Sequence, residues 1–227
     1  MKLIIALDYA DIKPALALVE QLDPMQCALK VGLEMYTRFG SSWVKTLTEK
    51  GFKVFLDLKF HDIPNTVAQA CKAAADLGVW MINVHTLGGV SMLAAAKCAL
   101  DAYTHPPLLM GVTVLTSIHE RELLALGITA SLEETVVRLA TRACDAGLDG
   151  VVCAASMTAM IKKQCGEKFL AVTPGIRLPE DEVHDQQQVL TPQRAIAAGS
   201  DYLVLGRSIT QAYHPLERLT YILSLIA

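Results

Sequence analysis

Asp57-Leu58-Lys59-Phe60-His61-Asp62-Ile63-Pro64-Asn65-Thr66 emerges from an apolar run, Lys53-Val54-Phe55-Leu56, with the composition of a buried β-strand. Residues two apart on a strand share a face. Asp57 and Lys59 are therefore expected to point one way, and Leu56, Leu58 and Phe60 the other. Opposite charges on a buried strand are costly unless they pair or do chemistry. Asp62 follows in the turn, and Pro64 suits the first position of a helix, where its missing N–H costs nothing. The stretch reads as strand, charged turn, helix. The plainer alternative is a structural ion pair capping the strand.

The same alternation extends to both ends of the chain. Strand-like runs are expected at residues 3–7, 28–31, 81–84, 108–114, 150–153, 169–172 and 202–205, besides the strand that opens the quoted stretch. Helical periodicity falls between them at 13–22, 36–50, 67–77, 91–103, 120–126, 132–146, 157–164 and 191–198, with two closing pieces at 208–212 and 216–226. Eight β-then-α units in 227 residues fit one (β/α)8 TIM barrel spanning residues 1–227 as a single domain. An open doubly wound sheet would usually carry a glycine-rich turn after its first strand; here Asp8-Tyr9-Ala10-Asp11 stands there.

Composition narrows the function. Hydrophobic residues make up 52% and charged residues 19%, with a formal net charge of −3 and no basic block, so nucleic acid is not an expected partner. No apolar run reaches the ~18 residues of a membrane span, and no signal peptide is read at the N-terminus. The six cysteines have no CxxC spacing and read as reduced thiols of a cytoplasmic protein.

In such a barrel the active site lies at the C-terminal strand ends. Those ends carry Asp8, Lys30, Asp57 with Lys59, His85, Thr113 or Thr116, Thr173 and Arg207. Lys30 has no evident structural reason to end an apolar strand, whereas Asp8 alone could be a turn cap and His85 reads as a satisfied core histidine. Gly206-Arg207-Ser208 after the eighth strand combines close backbone approach, free N–H groups and a guanidinium fork, a way to hold phosphate. The polar segment 174–189, with Pro174, Arg177 and Gln186-Gln187-Gln188, is long for a βα loop and reads as a closing lid. Asp57, His61, Asp62 and His85 could in principle bind a metal, but Lys59 already places a positive charge between the carboxylates, and no cofactor fingerprint is present.

These residues together resemble the orotidine 5′-phosphate decarboxylase family, and the Val172-Thr173-Pro174-Gly175-Ile176-Arg177 run is similar to its bacterial branch. The resemblance also takes in Ala6-Leu7-Asp8, Leu29-Lys30-Val31-Gly32, Val112-Thr113-Val114-Leu115-Thr116-Ser117 and Gly206-Arg207. It implies a cofactor-free and metal-free decarboxylation of orotidine 5′-monophosphate to uridine 5′-monophosphate, the last step of de novo pyrimidine nucleotide synthesis. Lys59 would protonate C6, and Asp57 would sit beside the departing carboxylate. Lys30, Asp57, Lys59 and Asp62 would form a charge network, with Asp62 supplied by the other subunit of a homodimer. Asp8 and Lys30 would bind ribose; Asp62, Ile63 and Thr66 would complete that side across the interface. Thr116 and Pro174 would line the site, Arg177 and Gln186 would belong to the lid, and Gly206 and Arg207 would hold phosphate.

The nearest rivals share the DxKxxD pattern: a metal-dependent keto-gulonate 6-phosphate decarboxylase and a hexulose-phosphate synthase. Both resemble this chain less, since they place an acidic residue where Lys30 stands and lack His-Asp-Ile-Pro-Asn-Thr. A non-catalytic phosphate-ligand sensor is the rival from another class; it has no need of a costly Lys30–Asp57–Lys59–Asp62 set.

Overall fold

A computed structural model describes residues 2–179, 181 and 190–226. Eight parallel strands close into a barrel in sequence order: β1 (Leu3–Ala6), β2 (Ala28–Gly32), β3 (Val54–Phe60), β4 (Met81–His85), β5 (Leu108–Val112), β6 (Gly150–Val152), β7 (Leu170–Thr173) and β8 (Tyr202–Leu205). β8 pairs back onto β1 through Leu3–Leu203, Ile4–Val204 and Ile5–Leu205, so no sheet edge remains. The single (β/α)8 barrel expected from the alternation is the fold observed.

Strand parity divides the core in two. Ile4, Ala28, Phe55, Met81, Met110 and Val172 form part of an inner cluster to which all eight strands contribute. The larger cluster, which includes Leu3, Ile5, Leu29, Val54 and Leu56, lies between strands and helices. Those helices are α1 (Ile12–Val19), α2 (Leu33–Glu49), α3 (Pro64–Ala75), α4 (Val90–Leu100), α5 (Glu120–Ala125), α6 (Leu132–Asp145), α7 (Thr158–Cys165), α8 (Pro192–Ala197), α9 (Arg207–Thr210) and α10 (Pro215–Leu225). Their starts follow local chemistry. Asp11 accepts a hydrogen bond from the Lys13 amide, Ser131 and Glu134 form a capping box, and Pro64 opens α3 as expected. α2 departs from the continuous helix expected at 36–50: Gly40, at φ 63°, breaks it into two segments.

The lower, N-terminal rim has its own polar fastening. Asp149 and Asp201, each just before a strand, accept the amide of the second residue of the preceding strand, Leu109 at 2.8 Å and Ala171 at 2.7 Å. Asp201 also pairs with buried Lys162 at 2.7 Å, tying α7 beneath the barrel. Polar groups at this end read as stability rather than catalysis.

Candidate active site

The inner face carries one step further than its apolar layer. Two residues beyond Ala6, Ala28, Phe55 and Met81 come Asp8, Lys30, Asp57 and Asn83, all toward the C-terminal rim. An i, i+2 step on a strand preserves the face, so the layer above the apolar plug is polar. Lys30 Nζ stands 3.2 Å from Asp8 Oδ1 and 3.2 Å from Asp57 Oδ2, while Lys59 Nζ stands 2.7 Å from Asp57 Oδ1. The charges alternate in the order Asp8, Lys30, Asp57, Lys59. Lys30 and Asp57 are each only 8% exposed. Burial alone would push the Asp57 carboxyl up, but Lys30 and Lys59, with hydrogen bonds from Lys59 and Asn83, hold it below the ordinary carboxylate range. Burial likewise pulls Lys30 down, and Asp57 and Asp8 more than offset it, leaving Lys30 above the ordinary lysine value.

Lys59 does not reach Asp57 by simple strand alternation. The β3–β4 register runs Phe55–Met81 and Leu56–Ile82, then resumes at Phe60–Val84, so the chain bulges through Asp57, Leu58 and Lys59. Lys59 takes φ 51°, the one positive φ outside glycine among the described residues. Its amide donates to Asn83 Oδ1 at 2.8 Å, and Asn83 Nδ2 donates to Asp57 Oδ1 at 2.7 Å. Asn83 escaped the sequence reading, although one amide inside Met81-Ile82-Asn83-Val84 was a visible signal.

Above this layer lies a cavity of about 580 Å³, of ligand-site size. Asp8, Lys30, Asp57 and Lys59 line one side, Thr116 and Ser117 another, and Pro174, Arg177, Gly206 and Arg207 a third. Thr113 and Thr173 are not in it: each lies one residue off the inward parity of its strand. Thr113 donates to the Val152 carbonyl at 3.0 Å, and Thr173 bonds Ser200 at 3.1 Å. His85 is not a satisfied core histidine either. It is half-buried, its Nδ1 has no hydrogen-bond partner among the described residues, and its ring lies 5.4 Å from that of His61. Burial, then His61 and Lys59, lower its pKa against an opposing pull from Asp57.

Asp62, Ile63 and Thr66 are exposed and do not line the cavity of their own chain. Asp62 spends one carboxylate oxygen on the Ile63 amide, at 2.6 Å. Gln186 and most of the expected lid lie outside the described residues; at its root, Asp181 pairs with Arg218 of α10 at 2.8 Å. Among the described residues no three His, Cys, Asp or Glu side chains gather as a metal site, and no helix is long and apolar enough to cross a membrane. All six cysteines are free thiols.

Comparison with known proteins agrees with this fold. Residues 1–222 match the model of the orotidine 5′-phosphate decarboxylase / HUMPS family. A protein of Legionella pneumophila named orotidine 5′-phosphate decarboxylase is 56% identical over 223 residues, covering 98% of this chain and 97% of that one. One of the same name from Chromobacterium violaceum is 56% identical over 216 residues, covering 95% and 87%. The crystal structure of orotidine 5′-phosphate decarboxylase from Lactobacillus acidophilus superposes with a TM-score of 0.87 at 38% identity, covering 99% of this chain and 98% of that one. With a family match over nearly its whole length and relatives at this identity, the chain belongs to the orotidine 5′-phosphate decarboxylase family.

Proposed function

We propose that this chain converts orotidine 5′-monophosphate to uridine 5′-monophosphate and carbon dioxide, closing de novo pyrimidine nucleotide synthesis, with Lys59 as the proton donor. The observation that carries the reading is the alternating Asp8–Lys30–Asp57–Lys59 array on one wall of a cavity whose other wall holds Gly206 and Arg207.

Cleavage of the C6–carboxylate bond releases carbon dioxide and leaves the bonding electron pair on C6, where no ring carbonyl can delocalise it. Electrostatics must therefore lower the barrier. An ammonium held in place at C6 meets the negative charge as it develops and then transfers its proton to that carbon. Asp57, buried and held anionic, fixes Lys59 on one oxygen and Lys30 on the other. Lys30 and Asp8 would meet the ribose hydroxyls, Thr116 and Pro174 the body of the nucleotide, and Arg207 with the Gly206 backbone the phosphate. Binding energy from that remote phosphate would position the base and close the segment carrying Arg177 and Gln186. The scheme requires neither metal nor cofactor, because Lys59 occupies the place a cation would take.

The second subunit enters through Asp62, Ile63 and Thr66. Ile63 is 68% exposed, and Leu87, in the turn before α4, and Val90, the first residue of α4, are also exposed large apolar residues. A homodimer burying this face would carry Asp62 toward the partner's Lys59 and extend the charge array by one member. Free cysteines and the substrate class support a cytoplasmic enzyme.

The test is to incubate the purified protein with orotidine 5′-monophosphate and follow loss of orotidylate absorbance, with and without EDTA. The proposal expects turnover that EDTA leaves unchanged. No loss of absorbance would overturn it, and chelator-sensitive turnover of a sugar phosphate would favour the lyase rivals.

A further inference from the structure

Asn83 is the third residue of β4, fully buried, and it does not line the cavity. Its amide nevertheless touches both members of the central ion pair. Oδ1 accepts the Lys59 backbone N–H at 2.8 Å, and Nδ2 donates to Asp57 Oδ1 at 2.7 Å. The orientation of the amide is forced, since a backbone N–H only donates and a carboxylate only accepts.

The strand pairing explains why an amide is needed. Between Leu56–Ile82 and Phe60–Val84, β3 spends three residues and β4 only Asn83. The Lys59 amide, carried away from the ladder in its left-handed conformation, donates to the Asn83 side-chain oxygen instead. Asp57 Oδ1 receives Lys59 Nζ and Asn83 Nδ2, while Oδ2 faces Lys30. Both ends of the Lys59 side chain are thereby referred to one planar group: its backbone directly, its ammonium through Asp57. Aspartate could accept but not donate at neutral pH, and alanine could do neither.

We propose that Asn83 is a positioning residue for the proton transfer, holding the Lys59 ammonium and the Asp57 carboxylate at the geometry the reacting carbon requires. The inference rests on the assignment of Lys59 as proton donor. The groups that set the charge state of Asp57 are Lys30 from β2, Lys59 from β3 and Asn83 from β4, with Asp8 beyond Lys30 and the His61–His85 pair beyond Lys59.

The experiment compares wild type, Asn83→Ala, Asn83→Asp and Lys59→Ala for kcat, product affinity and the pH profile of kcat/KM. Asn83→Ala should lower kcat by about 100-fold, as expected for a misplaced catalytic group. Its affinity for uridine 5′-monophosphate should change less than about threefold, because Asn83 meets no ligand. The acid limb should move to higher pH in Asn83→Ala, and further in Asn83→Asp, where a second carboxylate faces Asp57. Asn83→Asp, of the same shape, carries the test should the alanine variant not fold. A purely structural role would lower the melting temperature and leave the acid limb unmoved; that result, with Lys59→Ala inactive, overturns the inference. An active Lys59→Ala enzyme would instead overturn the assignment on which it rests.

Discussion

Lys59 and Asp57 lie two positions apart on one strand, and their charged groups meet at 2.7 Å across a bulge in which Lys59 adopts φ 51°. A non-glycine residue in that region is strained and persists only when its surroundings over-determine it. Here the surroundings are Asn83, Asp57 and, through Asp57, Lys30. The strain falls at the lysine proposed as the proton donor, so folding energy is spent on fixing one ammonium at the mouth of the barrel.

The network should stabilise the protein over a defined pH range. Asp57 has a lowered folded-state pKa, so its contribution is present above the ordinary carboxylate value near 3.9 and is lost as pH falls through the lower folded value. Lys30 has a raised one, so its contribution is complete below about 10.4 and is lost as pH rises through the higher folded value. Asp57→Asn, which removes the carboxylate that Lys30 and Lys59 share, should cost about 3–5 kcal/mol at neutral pH. Melting temperatures measured from pH 3 to 8 should show the gap to wild type narrowing below about pH 4. A gap that widens toward acid would contradict the sign.

Arg207 should read phosphate and little else. In Arg207→Ala, affinity for uridine 5′-monophosphate should fall roughly 10–100-fold, the range of a charge-assisted hydrogen bond. Affinity for uridine should hardly change. Calorimetric titration of both ligands decides it, and equal losses would remove Arg207 from the phosphate site.

Sharing of the site can be tested by mixing two dead subunits. Lys59→Ala and Asp62→Ala homodimers should each be inactive or nearly so. A mixed dimer contains one site with both defects and one with neither. Unfolding and refolding a one-to-one mixture should restore about a quarter of wild-type activity if subunits pair at random with two-fold symmetry. Absence of recovery would place Asp62 in its own chain's site.

Gly150 tests the barrel interior. A Cβ there would lie 2.2 Å from the Leu170 carbonyl oxygen and 2.6 Å from Met110 Cε, and the carbonyl belongs to a ladder that cannot give. Gly150→Ala should therefore destabilise by about 1–3 kcal/mol or more, read as a lowered denaturation midpoint.

Much of this architecture is legible in the residues because period and parity carry it. Apolar runs alternating with helical patterns specify the barrel, and charges ending the strands mark the working rim. Parity also sorts cavity-lining residues from near misses: Lys30 and Asp57 fall two beyond an inward residue, whereas Thr113 and Thr173 fall one off and turn to neighbouring strands. The bulge at Asp57–Lys59 was not legible, since it arises from a register shift between two strands distant in sequence. Asn83 and the left-handed Lys59 follow from that shift. The break at Gly40 was missed because the apolar periodicity of α2 runs through it.

The proposed decarboxylation depends most directly on Lys59. The direct measurement is turnover of orotidine 5′-monophosphate by Lys59→Ala beside its affinity for uridine 5′-monophosphate. Loss of both the ammonium's field and its proton should lower kcat by at least about 10⁴-fold, with the nucleotide still bound measurably. Turnover within about tenfold of wild type would contradict the account.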